Sequence, residues 1–83
     1  MRDAVTIVIA TYNRPAYLDV MVSSVQASAA KVSNPVRILI VDDHSDTLAA
    51  KHVAKRLGTD YIRLPENRGV AGALYAGFSE VDS

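Results

Sequence analysis

The stretch VTIVIATYNRP, residues 5–15, sets the architecture of the chain. Val5 to Ala10 form an almost unbroken apolar run, the pattern of a strand buried on both faces. The run stops abruptly in Thr11, Tyr12, Asn13 and Arg14, followed by Pro15. In an open α/β sheet, ligands bind just outside the carboxyl ends of the strands. These polar residues are therefore the first candidates for contact with a ligand. A second apolar run, residues 36–41, ends the same way, in Asp42-Asp43-His44-Ser45-Asp46. The pattern predicts a scaffold that brings two polar strand ends together.

Outward from the first strand, Pro15 suits the first turn of a helix, where its missing N–H would have no partner anyway. Asn13 is the expected cap or lies near it. Leu18, Met21, Val22, Val25 and Ala29 then form one helical stripe, and Pro35 requires the helix to end before Asn34. After the second strand, Asp46 or Thr47 is expected to cap a helix running to Leu57. Its inward residues are Ala50, Val53, Ala54 and Leu57, with Gly58 as the stop. Residues 60–64 read as a short third strand and residues 65–69 as a loop. Val70, Ala73, Leu74, Gly77, Phe78 and Val81 are the expected packing stripe of a third helix. Its small residues suit close approach to a sheet or ligand. The order β-α-β-α-β-α implies right-handed crossovers and a three-layer, Rossmann-like parallel sheet.

Eighty-three residues make at most one small domain, able to bury roughly 60–65% of its unfolded surface. Hydrophobic residues at 49% argue for a packed core and against disorder. The formal net charge is zero, so no long-range field draws the chain to nucleic acid or anionic lipid. There is no cysteine, which excludes disulfides and thiolate metal sites. No apolar run approaches the ~20 residues that span a bilayer. Met1-Arg2-Asp3 precedes a strand with no secretory leader pattern, so the expected residence is cytoplasmic. The last helix reaches the end of the sequence without a following strand, as expected for the first part of a larger domain.

Three constellations could carry chemistry. The cluster of residues 42–46 offers carboxylates and an imidazole that could bind Mg²⁺ or accept a ligand's N–H and hydroxyl groups, or simply form a capped turn. Neighbouring Asp42 and Asp43 point apart in an extended chain and are poorly placed to share one metal. His44 and His52 read as surface residues. In the first loop, Tyr12 offers an aromatic face for a base and Arg14 a planar cation for phosphate. In the third, Asn67-Arg68-Gly69 opens a helix whose N–H groups and positive end suit an anion, or which is a plain helix start. It is neither a P-loop nor a GxGxxG turn. Residues 36–44, VRILIVDDH, also look like the first strand of a response-regulator receiver domain. A receiver, however, needs an Asp at a later strand end, and here a complete βα unit precedes the run.

The three motifs in this order resemble the N-terminal part of family 2 glycosyltransferases, which have the GT-A fold. Members typically carry Thr-Tyr-Asn-Arg/Lys-Pro, here Thr11 to Pro15. Val-Asp-Asp/Asn-x-Ser-x-Asp follows, here Val41 to Asp46 apart from the spacing of the last Asp. Glu-Asn-x-Gly-x-Ala-x-Ala comes next, here starting at Glu66 with Gly72 between Ala71 and Ala73. The polar pair that often follows is Leu74-Tyr75 here. The resemblance covers nearly the whole chain and makes residues 1–83 the N-terminal, nucleotide-binding part of a truncated GT-A domain.

The resemblance implies a nucleotide-diphospho-sugar donor, often a UDP- or dTDP-sugar, and an acceptor glycan, lipid or protein. Nucleic acid is not an expected partner. The nucleotide site would comprise Ala10, Thr11, Tyr12, Arg14, Asp42, Asp43, Asn67, Arg68 and Gly69. Tyr12 would lie against the base and Asp42 would accept its imide N–H. The family's divalent cation, Mg²⁺ or Mn²⁺, is held by an Asp-x-Asp motif on the next strand, and no Asp-x-Asp occurs in this sequence. The parent would be an inverting transferase, cytoplasmic or peripheral to the inner face of a membrane. The chain alone, without catalytic residues, would be inactive. A non-catalytic nucleotide-binding or assembly module on the same scaffold is the alternative. The strand order 3-2-1 of a GT-A sheet would leave the first strand as an open edge for a homo-oligomer.

Overall fold

The structure is a computed structural model that describes residues 4–82, so the Met1-Arg2-Asp3 start lies outside the described residues. Its elements are β1 (Val5–Thr11), α1 (Pro15–Ala29), β2 (Val36–Asp42), α2 (Ala49–Leu57), β3 (Asp60–Arg63) and α3 (Gly69–Asp82). The strands form one parallel sheet in the order β1-β2-β3. β1 pairs with β2 from Val5↔Val36 to Thr11↔Asp42, and β2 with β3 from Leu39↔Asp60 to Asp42↔Arg63. This is the expected α/β architecture, a partial Rossmann-like GT-A fold. Among the described residues no helix is long and apolar enough to cross a membrane.

Strand alternation divides the core in two. Ile7, Ile9, Ile38, Ile40 and Tyr61 face α1 and α2, where they meet Leu18, Val22, Ala50, Val53 and Ala54. Val8, Ala10, Leu39, Val41 and Ile62 face α3, where they meet Ala73, Ala76 and Val81, with Leu64 closing the end. Helices on both faces explain why the strand runs carry no polar alternation. The first face is further tied by Gln26 Nε2, which donates to the carbonyl of Leu57 at 2.7 Å, so α1 grips the last turn of α2. Gly58 takes a left-handed φ of 73°, the glycine stop expected after Leu57.

Three local expectations change. Asn13 does not cap α1: Arg14 holds the cap position without a side-chain bond, while Asn13 turns left-handed (φ 53°) and bonds elsewhere. α2 begins at Ala49 behind Leu48. Thr47 Oγ1 accepts only a 3.3 Å bond from the Ala49 N–H, and Asp46 is drawn to Asn13.

The packing face of α3 also differs from the expected stripe. Val70 and Phe78 are 71% and 56% exposed, whereas Ala73 and Gly77 are buried. The reason is close approach. A Cβ on Gly77 would lie 2.5 Å from Val8 Cγ1 and 2.8 Å from Val41 Cγ2. The helix therefore descends onto the sheet along its small residues, and the bulky side chains flank the contact line.

Candidate functional site

The carboxyl ends of β1 and β2 stay paired past the strands. The Asp43 N–H donates to the Thr11 carbonyl at 2.9 Å, and the Leu64 N–H donates to the Asp42 carbonyl at 2.9 Å. The polar ends expected to converge are thus held side by side. What the sheet does with the two acids is decided by alternation. Asp42 follows Ile40 onto the α1/α2 face, and Asp43 follows Val41 onto the α3 face.

Asp42 is fully buried and its carboxylate is used internally. Oδ1 accepts the Ser45 N–H at 2.9 Å and Oδ2 accepts the Tyr61 hydroxyl at 2.7 Å. Burial, and then this bond to Asp42, hold the Tyr61 phenol well above the ordinary tyrosine range. Asp42, expected to face a base, instead organises the loop behind the site.

Asp43 turns the other way. Its Oδ1 accepts the Arg68 N–H at 2.7 Å and its Oδ2 the Gly69 N–H at 2.9 Å, while its carbonyl accepts Asn67 Nδ2 at 3.2 Å. A carboxylate at the start of α3 satisfies N–H groups that the helix cannot and complements its positive end. The anion expected at the Asn67-Arg68-Gly69 turn is therefore the protein's own. Asp43 is nonetheless not isolated from solvent space. With Ala10, Thr11, Tyr12, Val70 and Ala73 it lines a cleft of about 60 Å³ between the strand ends and α3.

Around this cleft, Tyr12 is exposed and Arg14 projects from the same loop. The Arg68 guanidinium is partly exposed, with Glu66 3.8 Å away. The stem of Arg68 lies over Gly72, where an added Cβ would come within 2.7 Å of Arg68 Cβ. Of the expected site residues, Ala10, Thr11, Tyr12 and Asp43 share the cleft, and Asn67, Arg68 and Gly69 are joined to it through Asp43. Arg14 stands on the Tyr12 loop outside the cleft lining, and Asp42 lies on the opposite face. His44 is half-buried, and its Nδ1–H donates to the Leu64 carbonyl at 3.0 Å; His52 is exposed.

The sequence reading missed two anchors on β3. Tyr61 reaches Asp42, and Arg63 Nη2 donates to the Ser45 carbonyl at 2.8 Å. The available signal was their spacing, two residues apart and hence on one face of the sheet. Val70 also lines the cleft, at a position whose helical spacing reads as packing.

Among the described residues there is no group of three or more His, Asp or Glu side chains placed to hold a metal ion. A larger cavity of about 640 Å³ lies at the amino ends of the strands, between β1 and α1, lined by Val5, Ile7, Val25, Val32 and Val36 among others. It holds no charged group and is remote from the polar strand ends, so we place the candidate site at the smaller cleft.

The chain thus joins a parallel sheet with two apposed polar strand ends to a third motif that those ends grip through Asp43. Comparison with curated proteins gives no match. A family model described as glycosyl transferase family 2 matches residues 6–83, nearly the whole chain. The protein belongs to glycosyl transferase family 2.

Proposed function

We propose that the chain binds the nucleotide half of a nucleotide-diphospho-sugar donor, a UDP- or dTDP-sugar, at the cleft between Tyr12 and Asp43. The observation that carries this is the separation of the two acids: Asp43 shares the cleft with Thr11 and Tyr12, whereas Asp42 is enclosed behind it. Each carboxylate oxygen of Asp43 receives one backbone bond and keeps a second lone pair. It is thereby suited to accept the imide N–H of a pyrimidine. Tyr12 gives the ring a face, and the backbone of Ala10 and Thr11 borders its edge. Because Asp43 already occupies the Arg68 and Gly69 N–H groups, the diphosphate depends on the guanidinium groups of Arg14 and Arg68.

In the full reaction an acceptor hydroxyl attacks the anomeric carbon, the nucleoside diphosphate leaves, and a base takes the hydroxyl proton. The acceptor is a glycan, lipid or protein. Family 2 enzymes generally use a divalent cation. The residues described here do not fit one, since no three His, Asp or Glu side chains come together among them and Asp42 and Asp43 turn to opposite faces of the sheet. The 83 residues alone are proposed to transfer no sugar, and metal-dependent turnover of a UDP- or dTDP-sugar by the pure chain would contradict this. Cytoplasmic residence fits the same reading. β1, paired within the described sheet on its β2 side alone, is proposed to recruit a second copy. A folded monomer at high concentration in sedimentation would remove that proposal.

The test of the site is UDP titration followed by NMR. Shifts should gather at Thr11, Tyr12, Asp43 and Arg68. N3-methyl-UDP, which lacks the imide proton, should bind about tenfold more weakly, the effect of one lost hydrogen bond to a charged group. The absence of shifts at these residues with millimolar UDP, or equal binding of the methylated nucleotide, would overturn the assignment.

A further inference from the structure

β3 does not line the cleft, and yet it reaches the loop that carries Tyr12. The connection is a relay of hydrogen bonds. The Tyr61 hydroxyl donates to Asp42 Oδ2 at 2.7 Å, and the Ser45 N–H donates to Asp42 Oδ1 at 2.9 Å. Ser45 Oγ in turn accepts the Asn13 N–H at 2.9 Å. Asn13 then closes a reciprocal pair with Asp46: the Asp46 N–H donates to Asn13 Oδ1 at 2.8 Å, and Asn13 Nδ2 donates to Asp46 Oδ2 at 3.3 Å. Arg63 holds the same loop through the Ser45 carbonyl.

The far end of this relay is a backbone choice. Asn13 sits at φ 53°, a left-handed conformation that asparagine tolerates better than most residues and that its bonds to Ser45 and Asp46 hold here. That turn sets how the chain passes from Tyr12, the preceding residue, toward α1, and the bond to the Asn13 N–H anchors the peptide that follows Tyr12. The near end is a buried carboxylate whose rotamer is set by its two donors, because an unpaired buried charge would be costly.

We propose that Tyr61 is a positioning residue for the Tyr12 turn, acting through Asp42, Ser45 and Asn13. Its meaning for the nucleotide rests on the reading of the cleft given above, but the ordering of the turn is a property of the free protein. β3 thus shapes the ligand-facing side of β1 from two strands away, without touching a ligand.

The experiment uses the 83-residue chain and three variants, Tyr61→Phe, Ser45→Ala and Ser45→Thr, with amide exchange and UDP affinity measured on each. Tyr61→Phe and Ser45→Ala should speed exchange at the Asn13 amide about tenfold and weaken UDP binding by about the same factor. The amides of Ile38 to Val41 should keep their protection. Ser45→Thr, which retains the hydroxyl, should restore both properties. Unchanged Asn13 exchange and unchanged Tyr12 shifts in Tyr61→Phe would overturn the proposal. So would loss of protection at Ile38 to Val41 together with Asn13, because it would make the role one of general stability. Should Tyr61→Phe fail to fold, the Ser45→Ala and Ser45→Thr pair decides through the same two readouts. A wild-type chain with a protected Asn13 that binds no UDP would sink the nucleotide reading while supporting the relay.

Discussion

β1 and β2 are strands of equal length and similar apolar content, VTIVIAT against VRILIVD, and the fold treats them differently. From Ile38 onward every residue of β2 is buried, whereas in β1 only Ile9 and Thr11 are. β2 has a strand on each side and helices on both faces; β1 has one neighbouring strand in the described sheet. Burial in a sheet is thus set by position more than by composition. The two strand ends differ in the same sense. β2 delivers two acids that the interior uses at once, one on each face. β1 delivers an exposed aromatic ring on a turn held by bonds from the β2 loop.

The sharpest way to break this comparison is to remove the same side chain from each strand. Ile40→Ala, at a fully buried position, should cost about 2–5 kcal/mol in chemical denaturation. Ile7→Ala, half-buried on β1, should cost on the order of 1 kcal/mol. Equal losses would mean that β1 is covered in solution, as a second copy seated on its edge would do.

A smaller effect is expected where α3 bridges the two strands. Gly77→Ala places a methyl against Val8 of β1 and Val41 of β2, and overpacking of this kind costs about 1–3 kcal/mol. Elsewhere in a helix the same change stabilises by roughly 1 kcal/mol. The sign of the measured change therefore reports whether the helix rests on both strands. A more stable variant would show that it stands off.

The smallest effect is alkaline. The unfolded Tyr61 phenol ionises near 10, and in the fold its ionisation is raised, chiefly by burial and next by the bond to Asp42. The neutral phenol is the form the fold favours, so its contribution is complete below pH 10. It declines as pH rises beyond that, because the unfolded chain releases a proton that the folded chain retains. Comparing wild type with Tyr61→Phe between pH 9 and 11 isolates this contribution: the wild type should lose more stability across the interval. Parallel curves would mean that the phenol is neither buried nor bonded to Asp42 in solution.

By itself the sequence determined the order of strands and helices, the parallel sheet and the polar residues at the strand ends. Those features rest on local periodicity, on proline and glycine at helix ends, and on apolar runs that only a two-sided sheet can bury. Gly58 and Pro15 act as their positions dictate. Tertiary structure alone decided which acid meets the cleft. Alternation separates Asp42 from Asp43, but the cleft belongs to whichever face α3 covers, and that is a long-range packing choice. The same choice exposed Val70 and Phe78, because Gly77 lets the helix settle on its small residues. Pairing of β1 with β2 gave Asn13 to Ser45 and Asp46, 32 and 33 residues away, where local chemistry offered it a cap. A helix cap is one hydrogen bond within a turn; the bonds Asn13 makes instead exist only after β1 and β2 have paired.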